Sequence, residues 1–208
     1  TYSEFAIKMI SPDDAKYGKA SRKFSSYLSH HGEQLAFVRV QRELLATRVE
    51  FGRAEQRHLE ELDLAIPNIS PLNILLIEEQ ITRHDQLAVI EELGRYISAE
   101  TKALLHPGTT SYDIVDTARS YLFRTAWNTL LRPAISSPII RLCDIAQQTM
   151  DVVQVGRTHL QHTSPVLLGG WLAIYARRLA DRLDKCDTSF EGLTGKISGI
   201  VGTGASID

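Results

Sequence analysis

Two stretches of this chain offer a helix little reason to stop. From Ser111 to about Met150 the only interruptions are Arg132-Pro133 and Ser137-Pro138, and from near Pro165 to about Leu193 there is no further proline. The second stretch carries Trp171, Leu172, Ile174, Tyr175, Leu179 and Leu183, while Arg178, Asp181, Arg182 and Asp184 occupy much of its remaining surface. Proline inside a helix removes a hydrogen bond and bends the axis, so a kink or break is expected near Pro133 rather than a domain boundary. Pro165 suits the first turn of the second helix. Two long helices cannot enclose a core between them. This half is therefore expected to need partners from the same or other chains.

The preceding residues are also read as helical. Leu35, Val38, Leu45 and Val49, with Phe37 and Leu44 beside them, predict a helix from about Gly32 to Phe51. A shorter helix is expected over Arg53 to Leu64. Pro67 and Pro71 then break the chain, and further helices are expected from Leu72 to about Gln80 and from about Asp85 to Ala99. The first 30 residues read as polar and irregular, with Ser11-Pro12-Asp13-Asp14 as a turn or a helix start. No segment shows strand alternation over a useful length. The expectation is an all-α protein, with an N-terminal helical domain over 1–108 and the first part of an incomplete central helical bundle over 109–208.

A formal net charge of -2 on 208 residues gives no reason to expect nucleic acid or a membrane as the main partner. No apolar run reaches the roughly 18 residues that span a bilayer, and the first residues lack a basic-then-apolar signal pattern. Cys143 and Cys186 fall on separate helical stretches. They are read as two free core thiols in a reducing compartment, with a single disulfide as the alternative. A soluble, cytoplasmic protein is expected.

Against this background three short blocks place a histidine beside hydroxyl, amide or charged groups, the equipment for proton transfer next to an anionic substrate. In Thr82-Arg83-His84-Asp85, His84 is suited to orient or protonate a substrate group, Arg83 to bind an anion and Asp85 to cap the next helix; the block is equally a plain helix junction. In His106-Pro107-Gly108-Thr109-Thr110-Ser111-Tyr112-Asp113, Thr110 and Ser111 stand at the start of the long helix. Free N–H groups and the helix dipole favour a carboxylate or phosphate there, and the same residues serve as an ordinary cap. In Arg157-Thr158-His159-Leu160-Gln161-His162, His159 is the proton donor or acceptor and Thr158 and Gln161 position the substrate, unless the loop only holds a buried, satisfied histidine. No carboxylate or cysteine cluster completes a metal site around His159 and His162. A fourth block, Gly195-Lys196-Ile197-Ser198-Gly199 with Val201-Gly202-Thr203-Gly204, lacks the spacing and preceding strand of a phosphate loop; its glycines are read as allowing close helix contact or a sharp turn.

Taken in order, these blocks resemble the fumarase/aspartase superfamily and, within it, the adenylosuccinate lyases. Ser11-Pro12-Asp13-Asp14-Ala15-Lys16-Tyr17 resembles that family's Ser-Pro-x-Asp-x-Arg-Tyr element, with Lys16 in place of arginine, which keeps the charge and loses the bidentate fork. The other blocks are similar to Thr-x-His-Asp, His-x-Gly-x-Thr-Ser-x-Asp, Arg-Thr-His and Lys-x-Ser-Gly-x-Val-Gly-Thr. Pro107, Tyr112, Thr163 and Leu167 depart from the usual residues.

The resemblance implies elimination of fumarate from a succinylated amine of purine synthesis, without metal or organic cofactor, by a homotetramer when full-length. It implies His159 as general acid, supported by His84. Thr110 and Ser111 would hold a succinyl carboxylate, and Gln161 would orient the substrate. Lys16, Tyr17 and Arg83 would hold phosphate, with Asp85, His106 and Thr158 completing the substrate pocket. The family's Gly-Ser-Ser-x-Met-Pro-x-Lys-x-Asn loop, whose serine is the general base, does not occur in the sequence. The expectation is an N-terminal part of a longer enzyme, inactive alone. Argininosuccinate lyase and carboxymuconate cycloisomerase share the scaffold and are the rival readings, together with a non-catalytic helical assembly module and a complete chain that only binds nucleotide.

Overall fold

The computed structural model describes residues 3–207, apart from the side chains of Ala15 and Ala20. Helices dominate, as expected, and the chain divides into two compact units. One comprises the residues up to Thr125 together with those from Leu193 onward; the other is Ala126–Gly192.

The first unit is helical from Asp14, earlier than its polar sequence suggests. Residues 14–28 are not irregular but form α1 (Asp14–Leu28). The Asp14 carboxylate accepts from the Ile10 N–H at 2.8 Å and the Ser21 hydroxyl at 2.9 Å, which ties the incoming turn to the helix. Then follows α2 (His30–Glu50), capped by Ser29, whose hydroxyl accepts from the Gly32 N–H. Next is α3 (Gln56–Ala65), opened by a reciprocal cap between Glu55 and His58.

Ser70 caps α4 (Pro71–Ile77), which loosens into a π-turn over Glu78–Thr82. The helix expected to run from Asp85 to Ala99 is two helices, α5 (Asp85–Leu93) and the short α6 (Ala99–Ala103). Gly94 ends α5, and the Ser98 hydroxyl starts α6 by accepting from the Thr101 N–H. The first long helix begins as α7 (Ser111–Ala126).

Phe37, Val38 and Leu45 of α2, Leu62 of α3, Ile74 of α4, Val89 and Leu93 of α5, and Ile114 and Ala118 of α7 form one continuous core. Removing a side chain such as Leu45, wholly buried, costs about 2–5 kcal/mol.

The second unit starts with the irregularity expected near Pro133, a π-turn over Trp127–Leu131 that leads into α8 (Arg132–Gln148). Pro133 has no N–H to give to the preceding turn, and a wider turn accommodates that loss. The long helix expected from Pro165 begins instead at Leu168, as α9 (Leu168–Glu191). Pro165 lies in a strand.

Residues 153–167 form an antiparallel hairpin of β1 (Val153–Thr158) and β2 (Gln161–Leu167), with pairing from Val153↔Leu167 to Thr158↔Gln161 and an irregularity between Val155 and Arg157. Strands thus occur where the sequence shows no useful alternation. Every residue of β2 is exposed, so the hairpin is held by its ladder and not by a buried alternating face.

Within this unit Trp127 stacks on Phe190 with ring centroids 4.6 Å apart and donates its indole N–H to Asp187 at 2.8 Å. At the other end Gly169 lets α9 approach α8 closely; a Cβ there would lie 2.3 Å from the Ala146 carbonyl oxygen. Ile140, Trp171, Ile174 and Tyr175 remain exposed. Both cysteines are free. Cys143 is exposed on α8 rather than in a core, and Cys186 is half-buried on α9. Among the described residues no helix is long and apolar enough to cross a membrane.

Candidate active site

In the first unit the structure brings together blocks that lie far apart in the sequence, at the N-terminus of α7. His84 caps α5 after the left-handed Arg83 (φ 53°). Its Nδ1 accepts from the Leu87 N–H at 3.3 Å. In the neutral ring the proton therefore resides on Nε2, which faces the Ser111 hydroxyl oxygen at 3.1 Å. Ser111 Oγ accepts from the histidine and keeps its own proton free to donate. When His84 is protonated, Nδ1 has Asp85 as its partner at 3.4 Å. Thr82 fixes the loop by donating to the His84 carbonyl at 2.9 Å and accepting from its N–H at 3.3 Å.

His106 precedes α7 in a left-handed conformation (φ 68°), and Gly108 follows at φ 76°. A Cβ on Gly108 would lie 2.1 Å from the Ser206 carbonyl oxygen, so glycine is required on both counts. The Arg48 guanidinium donates to the Pro107 carbonyl at 2.5 Å. Burial pushes the His106 ring below the ordinary histidine range; the charges of His84 and Arg48 push the same way, and Asp85 and Asp113 oppose them.

Asp113 anchors the cluster. Its carboxylate is fully buried and takes four hydrogen bonds. Oδ1 accepts from Lys196 Nζ at 2.9 Å and the Ser198 N–H at 3.1 Å, and Oδ2 accepts from the Gly199 N–H at 2.9 Å and the Thr110 N–H at 3.0 Å. Burial raises its pKa, but the Thr110 N–H, the Lys196 ammonium and the Ser198 and Gly199 N–H groups outweigh that and hold it at about 2. Thr117 adds a reciprocal pair of bonds to the Lys196 backbone, at 3.0 and 2.9 Å. The glycine-rich block thus makes the close helix contact read from its sequence, against α7. The sequence alone does not mark its lysine or the Asp113 carboxylate as site residues.

The second unit carries the Arg-Thr-His block at the tip of its hairpin. His159 (φ 50°) and Leu160 (φ 62°) are the two residues between Thr158 and Gln161. Positive φ at both central residues is the geometry of a type I′ turn, usually built from Asn and Gly. Strain of this kind persists where the surroundings or the function require it. Thr158, His159, Gln161 and His162 are exposed and make no side-chain hydrogen bond among the described residues, and Leu160 is 94% exposed. His159 is therefore not a buried, satisfied histidine.

Lys16 and Tyr17 lie in the first turn of α1, both exposed, with the Lys16 ammonium 5.2 Å from the Tyr17 ring centre. Lys16 also lines a cleft of about 760 Å³ with Lys8, Lys19, Arg22 and His31. Arg83 is exposed beside His84.

Comparison with known proteins supplies the family. A family model described as "Lyase" matches residues 68–208. The adenylosuccinate lyase of Bacillus subtilis (strain 168) is 37% identical over 142 residues, which cover 66% of this chain and 32% of that protein, so the chain spans about a third of its length. A crystal structure of a fumarate lyase from Mesorhizobium sp. BNC1 superposes with a TM-score of 0.76 at 26% identity, covering 88% of this chain and 44% of that one. The beta-carboxy-cis,cis-muconate cycloisomerase of Acinetobacter calcoaceticus sp. ADP1 shares the fold, with a TM-score of 0.79 at 22% identity over 90% of this chain and 45% of its own. The chain belongs to this lyase family, within the fumarase/aspartase superfamily.

Proposed function

We propose that the protein carrying this chain releases fumarate from adenylosuccinate and from the related succinyl-aminoimidazole-carboxamide ribotide. The observation that carries the proposal is the His84–Ser111 pair at the N-terminus of α7. A histidine N–H directed at the serine oxygen leaves the hydroxyl proton for an anion, and the first N–H groups of a 16-residue helix add a positive field at the same place. That arrangement suits a succinyl carboxylate better than a neutral group.

The reaction then runs as a β-elimination. A base, the serine implied by the family resemblance, removes the proton on the carbon next to one carboxylate. The electron pair delocalises onto that carboxylate, where Thr110 and Ser111 stabilise the added charge. As the pair returns to form the double bond of fumarate, the carbon–nitrogen bond breaks. His159 protonates the departing nitrogen. Its exposed, strained position at the hairpin tip leaves the ring free for this task. Thr158 and Gln161 flank it to orient the substrate, and Lys16, Tyr17 and Arg83 take the phosphate. The working assembly is a cytoplasmic homotetramer in which α7–α9 begin the central bundle, following an N-terminal domain over 1–108.

The muconate cycloisomerase similarity extends to fold alone, and the Lys16-Tyr17 pair favours a nucleotide substrate over either sister activity. Fumarate release by the protein carrying this chain from adenylosuccinate and from argininosuccinate in parallel, with lactone formation from carboxymuconate followed separately, tests the reading. Release from adenylosuccinate alone supports it. Turnover of either alternative in its place replaces it, and turnover of none refutes it.

A further inference from the structure

Two amides are buried where the helical pattern calls for apolar side chains. Gln41 lies one turn from Phe37 and one turn from Leu45 on the inner face of α2, and Gln86 lies on the face of α5 that carries Val89, Ile90 and Leu93. Both are wholly buried. They meet each other at 3.4 Å, and the Gln41 amide also meets Nδ1 of His106 at 3.1 Å. One atom of each amide has no hydrogen-bond partner. Such a pair does little for core stability, because an unsatisfied buried polar atom costs about 1–3 kcal/mol. Its evident contact of consequence is the histidine.

The proton on His106 follows from Thr109. That hydroxyl has a single proton, and it is directed at the His106 carbonyl oxygen at 2.7 Å. The same oxygen is 3.1 Å from His106 Nδ1, so it can only accept there, and Nδ1 carries the ring proton. With Nδ1 as the donor, the ends of both amides exchange places, because the nitrogen of Gln41 would otherwise face an N–H: Gln41 Oε1 then faces the ring and accepts from Gln86 Nε2, at unchanged contact distances because the ends of an amide have the same shape. Nε2 of His106 is left as a bare acceptor.

We propose that Gln41, backed by Gln86, is a positioning residue that holds His106 in the Nδ1–H tautomer selected by Thr109 and so helps present Nε2 to a donor group of the substrate. A carboxylate has no proton to offer such an atom, whereas an N–H or a hydroxyl does. On the lyase reading above, on which only the identity of this donor rests, His106 therefore addresses the amine or the sugar and not the succinyl carboxylates. Arg48 from α2, His84 and Asp85 at the start of α5, and Asp113 from α7 supply the charges around the ring.

The test reads the ring directly. Diethyl pyrocarbonate acylates only an unprotonated imidazole nitrogen, and peptide mass spectrometry follows His106 alone in the whole protein without substrate. In the wild type His106 should react well into mildly acidic solution. Gln41→Glu places an acceptor of full charge against Nδ1–H and should move the profile about one unit to higher pH, slowing modification by up to about tenfold on its acid limb. Gln41→Leu, which keeps the packing volume, should raise KM for adenylosuccinate about tenfold with little change in kcat. Superimposable profiles for wild type and Gln41→Glu overturn the proposal, as does a Gln41→Leu variant that loses thermal stability while its KM is unmoved. A shifted profile in a protein that turns over no succinylated substrate supports the positioning role and refutes the lyase reading instead.

Discussion

Replacing Asp113 by asparagine should release the 195–199 segment from α7. The carboxylate serves four donors, two on each oxygen, and an asparagine has one oxygen. If that oxygen keeps the Thr110 and Gly199 N–H groups, the amide NH2 is pushed against the Ser198 N–H and the Lys196 ammonium. Lys196 is partly exposed and can turn to water, but the Ser198 N–H cannot follow it easily.

The magnitude can be bounded from two sides. Holding the Asp113 pKa at about 2 against an ordinary 3.8 corresponds to about 2–3 kcal/mol, at about 1.4 kcal/mol per pKa unit. Removing one partner of a buried ion pair costs about 3–5 kcal/mol when neither group can reach water. About 3 kcal/mol is the expected local loss, which corresponds to a rise of roughly 100-fold in amide exchange across the segment. Hydrogen–deuterium exchange on the peptide containing Lys196, Ser198 and Gly199 measures it. Exchange within about threefold of wild type would refute the idea that Asp113 holds the segment in place.

The same carboxylate sets a pH dependence. Because its pKa is depressed on folding, its contribution is complete above about pH 4 and is lost as the pH falls towards 2, so acid unfolding of wild type should be steeper there than that of Asp113→Asn. His159→Ala should lower kcat by about 10²–10⁴-fold with KM changed only slightly, the signature of a lost general acid; wild-type turnover would remove that role. Gly169→Ala should destabilise the second unit by about 1–3 kcal/mol in urea unfolding, since its Cβ would collide with backbone at the end of α8; an unchanged midpoint would contradict the tight packing of α8 on α9.

Much of the helical framework was legible because α9 carries apolar residues at helical spacing on an otherwise polar surface, α2 repeats Leu35, Val38, Leu45 and Val49, and little interrupts the chain after Ser111. Helix α1 was not, since Gly18, Ser21, Ser25 and Ser26 are weak helix formers and its start is fixed by the Asp14 carboxylate rather than by burial. The hairpin was hidden for two reasons. Its strands bury no alternating face, and its turn is His-Leu where a turn of this type is normally announced by Asn-Gly.

The histidine blocks could be found in the sequence because each gathers several polar groups within a few residues. The supporting residues could not be found that way. Asp113 and Lys196 are 83 residues apart, and only the fold shows that they meet. Gln41 and Gln86 did leave a trace, a polar residue on an apolar helical stripe, a pattern that signals either a turned helix face or a buried polar role.

The most direct test of the whole account is a crystal structure of the protein carrying this chain with fumarate and the nucleotide product bound. The account predicts one fumarate carboxylate at the N-terminus of α7, within hydrogen-bond distance of the Ser111 hydroxyl and Thr110, with His84 Nε2 still on the serine oxygen. Fumarate seated instead in the cleft lined by Lys8, Lys19 and Arg22, with Ser111 and His84 untouched, would contradict it.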